Sequence, residues 1–159
     1  MILGIGIDVC DVARLRRALS GAAGPRFRAR VFTDGEQAYC EARNRGRFAS
    51  YAARFAAKEA AMKALGTGWA NGIGWRDFEV VRDGEGRPTL ALHGRASALA
   101  RRRGMARWLL ALSHDGGAAV ASVVVEGAPR VRGRGGSAVG ARRRGAGAGS
   151  TRRRSTARR

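Results

Sequence analysis

The stretch from Tyr51 to Gly66 leaves the chain little freedom. Seven of its sixteen residues are alanine, at positions 52, 53, 56, 57, 60, 61 and 64. Between them stand Arg54, Lys58, Glu59, Met62, Lys63 and Leu65. All are strong helix formers, and neither Pro nor Gly intervenes before Gly66. The spacing predicts one helix ending at Gly66. Its alanine surface lets other backbones come close, which suits a buried helix with a few charges at its edges. Glu59 and Lys63 are one turn apart and share a face, and Arg54 and Lys58 share a neighbouring one. Taken alone, this pattern fits a core helix with an ion pair.

A second feature gives the helix a partner. Residues 2–7 alternate Ile and Leu with Gly4 and Gly6 and read as a buried strand with close backbone approach at the glycines. Asp8 follows. A carboxylate at the end of an apolar strand is costly to bury unless it meets a cation or several donors. Asp8 could cap the next helix, but Asp11 is also placed to do so. The Gly-x-Gly is not a dinucleotide fingerprint, because the third glycine and the spacing are missing.

The charge is unevenly spread. The chain of 159 residues carries a net +19, and all 12 acidic residues precede position 128. Residues 1–127 hold 20 basic side chains against those 12, a balance of +8, which suits an anionic partner. From 128 to 159 there are 11 arginines and no acid. That segment lacks periodicity and apolar bulk, so it reads as a disordered Arg/Gly-rich basic tail behind a single domain over 1–127. The tail is either a nucleic-acid or membrane-surface arm or a bystander extension. Cys10 and Cys40 form neither a metal motif nor a disulfide framework and are expected to be reduced thiols of a cytoplasmic protein. The N-terminus lacks the basic start and cleavage site of a signal peptide, and no apolar run is long enough to span a bilayer.

The other elements follow from local signals. Residues 12–20 read as a helix with Val12, Leu15 and Leu19 on its apolar stripe and Arg14 and Arg17 outside. The arginines are either a solvated face or a docking face for an acidic partner. Residues 21–32 read as irregular, with Gly24-Pro25 as a turn. Thr33 and Glu36 form a capping box for a helix to about Arg43. Asn44 to Arg47 breaks it, and Arg45 and Arg47 make a local basic pair suited to phosphate. Strands are expected over Phe78–Arg82 and Thr89–His93, joined by the turn Asp83–Pro88. A helix is expected over Gly94–Arg103, and a second strand pair over 107–113 and 118–125. The sum is a mixed α+β domain, antiparallel strands packed with a central helix.

Asp8, Glu59 and Lys63 together suggest chemistry. Two carboxylates with few other ligands suit Mg²⁺ and leave room for phosphate oxygens and water, and a lysine one turn away could meet the same phosphates. The order of motifs then carries a resemblance. Gly4-Ile-Gly6-Ile-Asp8, then Arg54-Phe55-Ala-Ala-Lys58-Glu59 through Lys63 to Gly66-Thr-Gly68, then Asp83–Pro88, then Ser113-His114-Asp115 resemble the 4′-phosphopantetheinyl transferase superfamily, in its acyl-carrier-protein synthase branch. The resemblance covers residues 1 to about 126.

It implies transfer of 4′-phosphopantetheine from coenzyme A to a serine of an apo acyl carrier protein, releasing adenosine 3′,5′-bisphosphate, in fatty acid biosynthesis. Asp8 and Glu59 would hold Mg²⁺ against the diphosphate. Glu59, or a metal-bound water, would take the serine proton, and Lys63 would neutralise the attacked phosphate. Arg54, with Arg45 or Arg47 and His114, would bind the 3′-phosphate and adenosine end, and Gly66 and Pro88 would line that pocket. Arg14 and its neighbours would dock the acidic carrier protein. The family also implies a homotrimer with sites between subunits. His114 has a plain alternative as a structural residue near a strand end. The competing reading is a nucleic-acid-binding protein driven by the tail, whose affinity would depend on salt. Against it stand the missing zinc-finger, RNP-like and base-reading motifs. An inactive relative is the third reading.

Overall fold

The computed structural model describes residues 1–68 and 72–128. Apart from Ala128, the expected tail lies outside the described residues. The elements are β1 (Ile2–Asp11), α1 (Val12–Ser20), α2 (Gly24–Val31), α3 (Asp34–Glu41), α4 (Arg47–Leu65), β2 (Phe78–Arg82), β3 (Pro88–Leu92), α5 (Gly94–Arg102), β4 (Met105–Asp115) and β5 (Ala118–Gly127). The sheet order is β1-β5-β4, all antiparallel, and β2 and β3 form a separate hairpin. This is the mixed α+β architecture expected from the sequence.

The long alanine-rich helix α4 packs across β1 and β5. Its contact with β1 is backbone against backbone. A Cβ on Gly4 would overlap the carbonyl oxygen of Ala64, and one on Gly6 that of Ala60. Only glycine fits either position. The helix stops where Gly66 adopts a left-handed φ of 72° and its N–H caps Met62 and Lys63.

Three local readings change. Residues 24–31 are helical, not irregular: Pro25 sits in the first turn of α2, where its missing N–H costs nothing. The helix α4 begins at Arg47, after a 3₁₀ turn over Asn44–Gly46. Strand β1 runs on to Asp11, so Asp8 lies inside it rather than at its end. Only one face of β1 is covered. Gly6 and Cys10 are buried, while Ile5, Ile7 and Val9 are 57–64% exposed. A sheet with one covered face alternates in this way, and a continuous apolar run conceals it.

The charges expected at the edges of α4 are also partly inside. Lys58 is fully buried, with Nζ 2.7 Å from Glu36 Oε2. It also donates to the carbonyl oxygens of Trp75 and Phe78. Glu36 accepts from the backbone N–H of Thr33 and of Val80, both at 2.9 Å. The Thr33 hydroxyl completes the capping box by accepting from Glu36 N at 3.2 Å. One ion pair thus ties α3, α4 and β2 together. Burial pushes the Lys58 ammonium below its usual pKa, against the pull of Glu36.

Candidate active site

The glycines that admit β1 to α4 also aim Asp8. Gly4, Gly6 and Asp8 follow the strand's two-residue repeat, so the Asp8 carboxylate meets the face of α4 that carries Lys63. Lys63 Nζ lies 2.8 Å from Asp8 Oδ1 and donates to the carbonyl oxygen of Ile7 at 3.0 Å. Asp11 caps α1 instead, accepting from Arg14 N at 2.6 Å. Glu59, one turn before Lys63, is half-buried beside Asp8. Burial pushes its carboxyl up and the Asp8 charge adds to this, while Lys63 opposes both. Among the described residues no third His, Cys, Asp or Glu joins the pair into a larger metal-ligating cluster. Two neighbouring carboxylates, with the charged form of Glu59 disfavoured by burial and by Asp8, fit Mg²⁺ shared with phosphate oxygens.

A second, basic group lies elsewhere on the same chain. Arg54, Arg82, Tyr39, Pro88, Leu112 and His114 line a cleft of about 250 Å³. Arg54 is only 5% exposed and its Nε has no hydrogen-bond partner. Its Nη1 donates to Ser50 O at 3.3 Å. A buried guanidinium with an unused donor beside a cavity is suited to an anion.

Arg54, Pro88 and His114 therefore meet, as expected. Gly66 does not join them; it ends α4, one residue after the Leu65 carbonyl that receives Arg103. Arg45 and Arg47 are exposed ahead of the cleft, and Arg47 pairs with Glu41 at 3.3 Å. Arg14 is exposed on α1 with Arg16 and Arg17. Sequence reasoning missed Tyr39 and Arg82. An aromatic residue in a capped helix and an arginine at a hairpin end carry no local signal of meeting.

The acidic and basic groups do not share one mouth within the chain. Arg54 and Glu59 are five residues apart on α4, about 140° around its axis. Asp8 belongs to one outer strand of the sheet and His114 to the other, with β5 between. The outer face of that sheet carries an apolar patch around Ile5, Ile7 and Val9, with Ser122 opposite Ile7 and the Arg107–Glu126 ion pair at one end. Ile5 pairs with Val124 and Val124 with Leu109, and Val9 pairs with Val120. Leu109 is 38% exposed in its row.

The fold and the paired carboxylates define a phosphopantetheine-transferring enzyme: the chain belongs to the 4′-phosphopantetheinyl transferase superfamily, whose family model matches residues 4–122. Its relatives narrow the class. It is 58% identical over 130 residues to the holo-[acyl-carrier-protein] synthase of Anaeromyxobacter dehalogenans strain 2CP-C, covering 80% of this chain and 98% of the relative. The synthase of Solibacter usitatus is 45% identical over 126 residues, covering 79% of this chain and 99% of the relative. The crystal structure of the Neisseria meningitidis synthase matches with a TM-score of 0.70 and 32% identity, covering 79% of this chain and 99% of that one. The Helicobacter pylori synthase in complex with coenzyme A matches with a TM-score of 0.67 and 27% identity, covering 77% and 99%. The chain is a transferase of the holo-[acyl-carrier-protein] synthase type. The nucleic-acid reading depended on an arm outside the described residues. No helix among the described residues is long and apolar enough to cross a membrane.

Proposed function

We propose that the protein transfers 4′-phosphopantetheine from coenzyme A to a serine of an apo acyl carrier protein, with Mg²⁺, at a site shared between subunits. The observation that carries this is the convergence of Asp8, Glu59 and Lys63, drawn from distant parts of the chain. Asp8 and Glu59 hold Mg²⁺, which when bound neutralises charge on the diphosphate. Glu59, the carboxylate one turn from Lys63, accepts the serine proton. The serine Oγ forms a bond to the phosphorus that carries pantetheine. The bond from that phosphorus to the bridging oxygen breaks, and adenosine 3′,5′-bisphosphate leaves with that oxygen. The Lys63 ammonium offsets charge on the attacked phosphate, since such displacements need positioning and neutralisation more than covalent help. Arg54 and His114 receive the 3′-phosphate. Pro88 lines the nucleotide pocket, and the family resemblance adds Gly66 and either Arg45 or Arg47 to it; Arg47 lies seven residues before Arg54, on the same face of α4.

The assembly is a homotrimer. The separation of the two groups around α4 supports a shared site, and the exposed Ile5, Ile7 and Val9 support an interface on the outer sheet face. The number three comes from the family resemblance. The exposed arginines of α1 dock an acidic carrier protein. We place the reaction in the cytoplasm and in fatty-acid biosynthesis on the same resemblance, with Cys10 and Cys40 both free and buried.

The test incubates the protein with coenzyme A, Mg²⁺ and an apo carrier protein. Intact mass of the carrier should gain one phosphopantetheine, adenosine 3′,5′-bisphosphate should appear, and chelation should stop both. A carrier of unchanged mass overturns the reading.

A further inference from the structure

Tyr39, on α3, stands at the centre of three guanidinium groups. The Cζ of Arg54 lies 3.9 Å from its ring centroid, that of Arg43 4.6 Å and that of Arg82 5.0 Å. The hydroxyl accepts hydrogen bonds from Nη2 of Arg43 and Nη2 of Arg82. Among the described residues none of the three has a carboxylate within ion-pair distance. Three like charges around one ring repel one another. The ring face and phenol oxygen offset part of that repulsion and fix where the charges point. Two of the three, Arg54 and Arg82, line the same cleft as His114. The arrangement is pre-organised for a dianion that would complete it.

We propose that Tyr39 is a positioning residue for the 3′-phosphate of the donor: its ring sets the plane of Arg54 and its hydroxyl anchors Arg82, which thereby becomes a second guanidinium ligand of that phosphate. The inference rests on the proposed function. Tyr39 lies in the basic cleft, away from Asp8, Glu59 and Lys63, so it acts on donor recognition and not on the chemical step. The phosphate distinguishes coenzyme A from 3′-dephospho-coenzyme A, and that pair of donors isolates the effect.

The experiment measures kcat and KM with both donors for the wild type, Tyr39→Phe, Tyr39→Leu and Arg82→Gln, with thermal melts to check folding. The wild type should favour coenzyme A. Tyr39→Leu and Arg82→Gln should raise KM for coenzyme A roughly tenfold, a loss of about one hydrogen-bonded charge contact, and leave KM for the dephospho donor unchanged. Tyr39→Phe keeps the ring and should fall between. The kcat with either donor should not move. Folded variants that keep the wild-type preference overturn the inference, as does an equal loss of kcat with both donors, the mark of a merely structural role. Should Tyr39→Leu fail to fold, Tyr39→Phe and Arg82→Gln decide on the same criterion. A wild type that uses both donors equally well overturns the inference and leaves the reaction standing. A wild type that transfers from neither overturns the proposed function and this inference with it.

Discussion

The Lys63 ammonium lies 2.8 Å from the Asp8 carboxylate, across 55 positions of sequence, while Glu59, one turn before Lys63, is offset by an ammonium already engaged with Asp8. A carboxyl whose folded pKa lies above its unfolded value binds its proton more tightly when folded. Its effect on stability is therefore favourable at low pH and is lost as pH rises through that interval. Near pH 7 or so, Glu59 is a net burden on the fold. Glu59→Gln should melt at or above the wild-type temperature there, and should lose transfer by at least about 10²-fold. Mg²⁺ should raise the melting temperature of the wild type and not of the variant. Near wild-type transfer by Glu59→Gln would remove the carboxylate from the chemistry.

Gly6 offers a test of position without touching a charge. In Gly6→Ala the new methyl meets the Ala60 carbonyl, which belongs to helix backbone and cannot turn aside. Overpacking of this kind costs about 1–3 kcal/mol, and β1 should also move off α4, carrying Asp8 with it. Denaturant unfolding should register the loss of stability, and transfer should fall by more than the unfolded fraction accounts for. A variant as stable and as active as the wild type would contradict the close seam.

Lys58 and Glu36 are both fully buried, and each leaves the other stranded when removed. Lys58→Met should destabilise by about 3–5 kcal/mol. The pair replaced together, Glu36→Leu with Lys58→Met, should recover part of that loss, short of full recovery because Glu36 also accepts from Thr33 and Val80. Urea titrations of the three proteins measure this. A single variant within about 1 kcal/mol of wild type would place the pair outside the stabilising core.

Ile7 tests the assembly. Ile7→Glu puts a charge on the exposed apolar sheet face, so sedimentation should show smaller species and transfer should drop. Mixing tests the shared site directly. Glu59→Gln and Arg54→Gln chains, each weak alone, should regain activity when reassembled together, because some interfaces then join an intact acidic group to an intact basic one. No gain on mixing would confine the site to one chain.

Much of the acidic group could be read in the sequence. Gly4, Gly6 and Asp8 carry a two-residue repeat, and Glu59 and Lys63 a one-turn spacing, so local periodicity fixes which faces they occupy. The seven alanines of the helix announced close packing without saying what approached. The basic cleft was less legible. Arg54 and His114 entered through resemblance, whereas Tyr39 and Arg82 meet only because the β2–β3 hairpin folds over α3, and no spacing encodes that. Lys58 was expected near the edge of the helix, since a lysine in an amphipathic pattern normally reaches water. Its partner Glu36 was visible only as half of a capping box. Residues 24–31 were hidden by Gly24-Pro25, a pair that marks turns and helix starts alike.

The bare backbone of β1 at Gly4 and Gly6 also acts as a registry key. Sliding the strand by one residue would drive the bulk of Ile5 and Ile7 into the space where two hydrogens now fit, and would turn Asp8 out toward water. Misaligned versions of the sheet are thus excluded by shape before any charge is felt. A folded chain cannot hold β1 in the wrong frame and still keep the Asp8 and Glu59 carboxylates beside each other.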